Sequence, residues 1–215
     1  MSGYARFVAA TALVFGLTGG LAAPSGAEPA ASPRVVSIVK VKTPWYAPRF
    51  FVRWRFEAAA PRYAEIPGLE RKFFTIADSG ELGGIYLWRD RAAADAFYDA
   101  AWHADIAARY GEPASLEIEE SGDQVSGQSR TDVPAAVRTD TTFVAVVMRS
   151  AAVTPAVDTP GLVHLYGWGR PGAGGSIALW EDRASAERFF APQGGVPSSA
   201  EFFEAPVILE VAPAH

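Results

Sequence analysis

The chain has 215 residues, 49% of them hydrophobic and 12% aromatic, and a formal net charge of −5. That is enough apolar material for a sizeable core in one or two domains, while the acidic balance argues against a nucleic-acid partner, which needs a basic face. The absence of cysteine excludes disulfides, thiolate metal ligation, a cysteine nucleophile and a lipid carried on cysteine.

Residues 1–27 read as a secretory signal peptide. Arg6 is the lone charge ahead of an apolar stretch from Phe7 to Leu21, and Ser25 and Ala27 place small residues before a cleavage point after Ala27. The stretch is short for a membrane span and is interrupted by Gly16, Gly19 and Gly20. The expectation is a protein with no stable span after cleavage, secreted or periplasmic. Residues 28–34 read as a flexible tail.

Residues 35–42 alternate as a first strand. Residues 49–60 are ambiguous: Phe50, Val52, Trp54 and Phe56 alternate as in a strand, whereas Phe51, Trp54 and Ala58 make a helical stripe. Pro48 suits a first helical position and Pro61 a stop, which favours a helix. Residues 69–77 and 83–89 read as a β-hairpin turned by Asp78, Ser79 and Gly80. Asp90 is placed to cap the helix that follows and runs to Tyr110, with Ala93, Phe97 and Ala101 on one stripe and Arg91, Asp95 and Asp99 on another. Residues 112–120 make a fourth strand. Residues 35–120 thus read β-α-β-β-α-β, the ferredoxin-like order.

Residues 121–140 are polar and read as a linker. A second set spans residues 141–212. It holds a strand at 141–149, a hairpin of 162–168 with 176–180, a helix over 182–191 stopped by Pro192, and a closing strand at 204–211. Its first helix is expected to shrink to a turn within the proline-rich residues 151–160. This set repeats the first. Gly83-Gly84 matches Gly174-Gly175, Leu87-Trp88 matches Leu179-Trp180, and Asp90-Arg91-Ala92 matches Asp182-Arg183-Ala184. Phe97-Tyr98 matches Phe189-Phe190, and a Pro-Gly-Leu precedes each copy. The expected fold class is α+β, two ferredoxin-like repeats fused in one chain. In both hairpins the later strand is apolar on both faces, so the two sheets are expected to pack as an intramolecular α/β barrel. Each repeat then serves as the other's partner, and a monomer follows.

Residues 167–172 spell G-x-G-x-x-G, yet a strand follows where a dinucleotide site needs a helix, and Pro171 removes a donor. A glycine-rich turn is the better account. The three histidines, His103, His164 and His215, are far apart, so no metal site is expected. His103, at the end of the central helix, is a general-base candidate because histidine is the residue type most used for proton abstraction near neutral pH; the alternative is a helix-end histidine complementing the macrodipole. Tyr86 is a second catalytic candidate. Trp54, Phe73, Trp88 and Trp102 offer flat apolar surface to a small hydrophobic or aromatic molecule, or else belong to the core. Only the first repeat keeps two helices as walls, so one pocket is expected there, lined by Trp54, Tyr86, Trp88 and Trp102. Arg49, Arg53, Arg55 and Arg62 read as a solvated helix face rather than an anion site.

Pro67-Gly68-Leu69, Lys72, the run Gly84-Ile85-Tyr86-Leu87-Trp88, Asp90 and the Ala-rich aromatic helix resemble the YdhR-like family of candidate monooxygenases. That family belongs to the dimeric α/β-barrel superfamily, with antibiotic-biosynthesis monooxygenases as relatives. The resemblance is best over residues 35–120; over 141–211 mainly the Gly-Gly…Leu-Trp-x-Asp-Arg-Ala block matches. It implies oxidation of an aromatic or polyketide-like molecule with no cofactor, the substrate supplying the electrons. Haem degraders, peroxidases and dehydratases share the superfamily, so fold does not decide activity. The asparagine that the haem degraders and a cofactor-free oxygenase use does not occur anywhere in this sequence, and their constellation does not carry over. A non-catalytic module that captures an apolar ligand is the competing expectation, and a barrel with a filled interior the third.

Overall fold

The computed structural model describes residues 33–42, 48–120, 137–150, 153–156, 158–169 and 174–211. The expected signal peptide, most of the linker, and the proline of the glycine-rich turn lie outside the described residues. The first elements are β1 (Val35–Val41), α1 (Arg49–Ala64), β2 (Leu69–Ala77), β3 (Leu82–Trp88), α2 (Arg91–Phe97), α3 (Ala100–Tyr110) and β4 (Ser115–Glu120). β5 (Val137–Arg138), β6 (Phe143–Met148), β7 (Leu162–Trp168), β8 (Gly175–Trp180), α4 (Arg183–Phe190) and β9 (Ala200–Glu210) follow among the described residues. Among the described residues no helix is long and apolar enough to cross a membrane.

The β2–β3 hairpin forms where the sequence supplies a left-handed residue. Gly80 adopts φ +88°, and its N–H donates to the Ala77 carbonyl at 2.8 Å. Asp90 and Asp182 cap α2 and α4 by accepting from the N–H groups of Ala93 and Ser185 at 2.8 and 2.7 Å. The nine strands join one antiparallel sheet in the order β4-β1-β3-β2-β9-β6-β8-β7, with β5 on β9. Its middle junction pairs β2 with β9, from Arg71 opposite Glu210 to Ala77 opposite Phe203. The sheet curls into a half-barrel, bringing its end strands together: the Gly169 N–H, just past β7, donates to the Glu120 carbonyl of β4 at 3.3 Å.

The concave face is packed rather than hollow. Val36, Phe73, Ile85 and Leu87 meet Val147, Ile177, Leu179 and Phe203 there. The convex face is covered by helices. α2 packs over β1 and β3 around the fully buried Trp88, and α4 over β6 and β8 around the equally buried Trp180. α1 lies across the β2–β9 junction, with Phe56, Ala60 and Tyr63 against Phe74, Val207 and Leu209.

Several expectations change. α1 does not stop at Pro61 but includes it and ends at Ala64; so near the helix end the proline forfeits one late hydrogen bond. Residues 91–110 are two helices, not one. Tyr98 leaves helical geometry at φ −87°, ψ 48°, and the Asp99 carboxylate accepts from the Trp102 N–H at 2.7 Å to start α3. β9 begins at Ala200, four residues earlier than the apolar run suggests, because Phe202 and Phe203 pair with β6. The glycine match also shifts by one. Trp88 and Trp180 face Leu69 and Leu162 in their ladders, which sets Gly84 opposite Phe74 and Ser176 opposite Gly167. Ser176 therefore occupies the place of Gly84.

Candidate functional site

Alternation along β2 sends Phe73 to the concave core and Phe74 to the helices; Lys72 shares the helix face. On β3, Tyr86 and Trp88 likewise face the helices. Their rings stack at 5.8 Å between centroids. Phe97 and Tyr98 of the α2 end close over Trp88 at 5.3 and 5.7 Å, Trp102 meets Tyr98 edge-on at 4.9 Å, and Tyr63 lies 6.1 Å from Tyr86. Such pairs each add about 0.5–1.5 kcal/mol beyond area burial. The buried polar ends are satisfied: Trp88 Nε1 donates to Ser37 Oγ at 2.8 Å, and Ser37 Oγ lies 2.6 Å from the Tyr98 hydroxyl.

Lys72 ends inside this layer with 2% of its surface exposed. Its Nζ lies 3.0 Å from the Tyr63 ring centroid, 4.0 Å from that of Phe74 and 4.5 Å from that of Tyr86. Gly84 makes the space. A Cβ at that position would sit 3.0 Å from both Lys72 Cε and Tyr86 Cε2. Desolvating an ammonium costs several kcal/mol, and cation–π contact returns about 2 kcal/mol. Desolvation wins, and burial holds the Lys72 amine well below the ordinary lysine range. Burial acts in the opposite sense on Tyr63, Tyr86 and Tyr98, pushing each phenol up and keeping it neutral.

An open groove of about 610 Å³ adjoins the layer, lined by Ile66, Pro67, Arg89, Asp90, Ala92, Ala93, Ala96 and Phe97. Phe97 belongs to both: it walls the groove and lies 6.2 Å from Tyr63 and 6.1 Å from Tyr86. Gly68, at φ +77°, lets α2 approach, since a Cβ there would meet the Ala93 methyl at 2.5 Å. The Ala93 N–H and Arg89 hold the Asp90 carboxylate below its usual range.

Of the residues expected to form the site, Tyr86, Trp88 and Trp102 come together here. Trp54 does not. It is 60% exposed and stacks on Phe51 at 5.7 Å, because α1 turns Val52 and Ala60 inward. Phe73 sits on the opposite face of the sheet, 6.2 Å from Tyr166. His103 is exposed beside Trp102. The new start at Asp99 puts it in the first turn of α3 rather than at a helix C-terminus, so it is not the helix-end histidine of the alternative reading. Arg49 is held by both oxygens of Glu204 at 2.8 and 2.7 Å, Arg53 by Glu57 at 3.1 Å, and Arg55 lies 5.9 Å from the Phe51 ring centroid. His164 is buried in β7, stacked on Tyr166 at 5.8 Å. Tyr166 accepts a hydrogen bond from Arg71, which also pairs with Glu210 at 3.1 Å. Among the described residues no group of three or more His, Cys, Asp or Glu is placed to hold a metal. Sequence reasoning missed Tyr63 and the site role of Lys72. The signal for Lys72 was present: alternation puts it on the face of Phe74 and Ile76, where a lysine is out of place.

No protein-family model matches the chain, and no curated protein matches it significantly. Solved structures do. The chain is similar to a candidate monooxygenase from Fusobacterium nucleatum subsp. nucleatum, at TM-score 0.52 and 11% identity over 83% of this chain and 95% of that one. It is also similar to an anthrone oxidase-like protein, at TM-score 0.50 and 13% identity over 86% of this chain and 97% of that one. The likeness is one of fold alone: the chain shares with these structures an α+β architecture of a curled antiparallel sheet covered by helices.

Proposed function

We propose that this chain takes a planar aromatic or polyketide-like molecule into the groove and oxidises it with dioxygen without a bound cofactor. The observation that carries this reading is the double membership of Phe97, a wall of the groove and a ring of the aromatic layer. A flat ligand replacing or flanking it meets Tyr86, Trp88 and Trp102, and neutral Tyr86 can donate a hydrogen bond to a ligand carbonyl. One fold neighbour is anthrone oxidase-like by name, which favours the same substrate class. In such a step a CH₂ activated by flanking rings loses a proton, and the carbanion passes electrons to O₂. One oxygen atom becomes the new C=O, and the other leaves as water with both hydrogens. Carbon gives up four electrons and dioxygen takes four.

The second reading is capture without turnover. The exposure of His103 and the resistance of Tyr86 to ionisation favour it. Anthrone separates the two. Saturable tryptophan quenching with oxygen uptake and quinone formation supports the enzyme; quenching alone supports capture; no quenching by anthrone or anthraquinone overturns both.

The assembly belongs to the same proposal. Each half is a ferredoxin-like unit, and the pair does within one chain what two subunits would do. Three correspondences support this: the strand orders β4-β1-β3-β2 and β9-β6-β8-β7, the bulges at Leu69/Arg71 and Leu162/His164, and the caps at Asp90 and Asp182. The protein is a monomer in solution, and light scattering that returns a dimer at low concentration refutes it. It is exported, with cleavage after Ala27; an intact Met1 on mature protein from the native host contradicts this.

A further inference from the structure

We propose that Lys72 is the general base of this groove, its amine taking the proton of a phenol or ring-activated carbon acid that enters by displacing Phe97. The inference rests on the reading that the groove receives such a molecule.

The surroundings of Lys72 suit an uncharged amine. Tyr63 faces it from α1, Tyr86 from β3 and Phe74 from its own strand. Tyr98, at the break after α2, and Tyr110 of α3 stand behind these phenols, and Arg62 and Arg109 act on Tyr63. Across the ladder its partner on β9 is Leu209. The acid next to that leucine, Glu210, is held by Arg71 at 3.1 Å. The amine is therefore set among rings with burial as the dominant influence, the arrangement in which a lysine works as a base near neutral pH.

The fold does not require this lysine. At the same ladder position in the second half stands Leu165, opposite Ala178 where the first half has Tyr86. An apolar side chain fills that place there. In the first half Gly84 instead leaves space for the lysine stem, and a Cβ would crowd Cε at 3.0 Å. Access runs through Phe97, the last residue of α2, directly before the break at Tyr98. Once protonated, the ammonium lies against three ring faces and beside the substrate anion. It returns its proton to the oxygen atom that departs as water, so the base is regenerated.

Alizarin tests this without turnover, because its absorption spectrum changes when a phenolic proton is lost. Bound to the wild type it should ionise at a pH lower by about one unit or more than when bound to Lys72→Met. Equal ionisation in the two proteins overturns the base while leaving the groove reading intact. Lys72→Leu, which copies Leu165, serves as the second variant if the first folds poorly. Stability against pH gives an independent measurement. With the amine neutral when folded and protonated when unfolded, the unfolded chain binds the extra proton, so wild-type stability rises with pH up to about pH 10. Both variants should lack that contribution, and their advantage over wild type should shrink as pH rises. Parallel curves mean that Lys72 is charged in the fold, and the proposal fails whether or not alizarin binds. Divergent curves without alizarin binding refute the groove reading and the base role with it.

Discussion

Trp88 and Trp180 hold equivalent ladder positions and are equally buried, but their indole nitrogens fare differently. Trp88 Nε1 has Ser37; Trp180 Nε1 finds no partner among the described residues. Replacing either by alanine should cost about 3–5 kcal/mol through lost burial and a cavity. Phenylalanine separates them. Trp88→Phe strands the Ser37–Tyr98 pair and should cost about 1–3 kcal/mol more than Trp180→Phe, which relieves an unmet donor. Denaturant unfolding measures both, and equal losses would refute the distinction. The equivalence of the two tryptophans was legible in the sequence, from the spacing of Leu-Trp-x-Asp-Arg. Their polar ends were not, because Ser37 reaches Trp88 from across the β1–β3 ladder, and no local pattern records a partner that distant. Lys72 is the reverse case: its strand register exposes the anomaly, yet its chemistry depends on Tyr63, which arrives from another element.

At the scale of elements, hairpins and caps were read well because their causes are local: a left-handed glycine in one case, a carboxylate three residues ahead of its amide in the other. The α2–α3 break was missed because Asp99 also fits the polar stripe of one continuous helix. The same carboxylate that would decorate the face of one continuous helix begins a new helix. Asp99→Ala should cost about 1 kcal/mol, the usual worth of an N-cap, and should loosen the Phe97–Trp102 contact, seen at 6.2 Å, as a change in near-ultraviolet circular dichroism. An unchanged spectrum and midpoint would mean that packing alone sets the break. α1 misled for a different reason. Phe50, Phe51, Trp54 and Phe56 are spread around the helix, so aromatic content does not reveal which side is buried. Small Ala60 and branched Val52 face inward.

Across the whole molecule, the packed concave core carries charge at its ends. Lys40 and Arg149 both reach Glu201, at 2.8 and 2.9 Å, and Arg149 continues to Glu117 at 2.8 Å. This chain ties β1 and β4 to β6 and β9. Burial alone would raise the Glu201 carboxyl, but the Lys40 and Arg149 bonds outweigh it and leave it below its usual range. The folded form thus releases this proton more readily than the unfolded one. Its contribution to stability is complete above about pH 5 and disappears as pH falls through the lower folded value. Glu201→Gln should be less stable near neutrality and should show a shallower acid transition; an acid limb identical to wild type would remove Glu201 from the account.

The two meeting lines between the halves are unequal. β2 and β9 share a ladder roofed by α1 and tied by Arg49 to Glu204, whereas β4 and β7 meet through the Gly169–Glu120 bond. Two identical subunits on a twofold axis would have to make both lines alike. A single polypeptide escapes that obligation and can keep one line as a spine and the other as a lip. Native-state hydrogen exchange should then be lopsided, with β2 and β9 amides released only by global unfolding and those of β4 by local breathing. The curled sheet thereby has one place to open, where β4 and β7 meet.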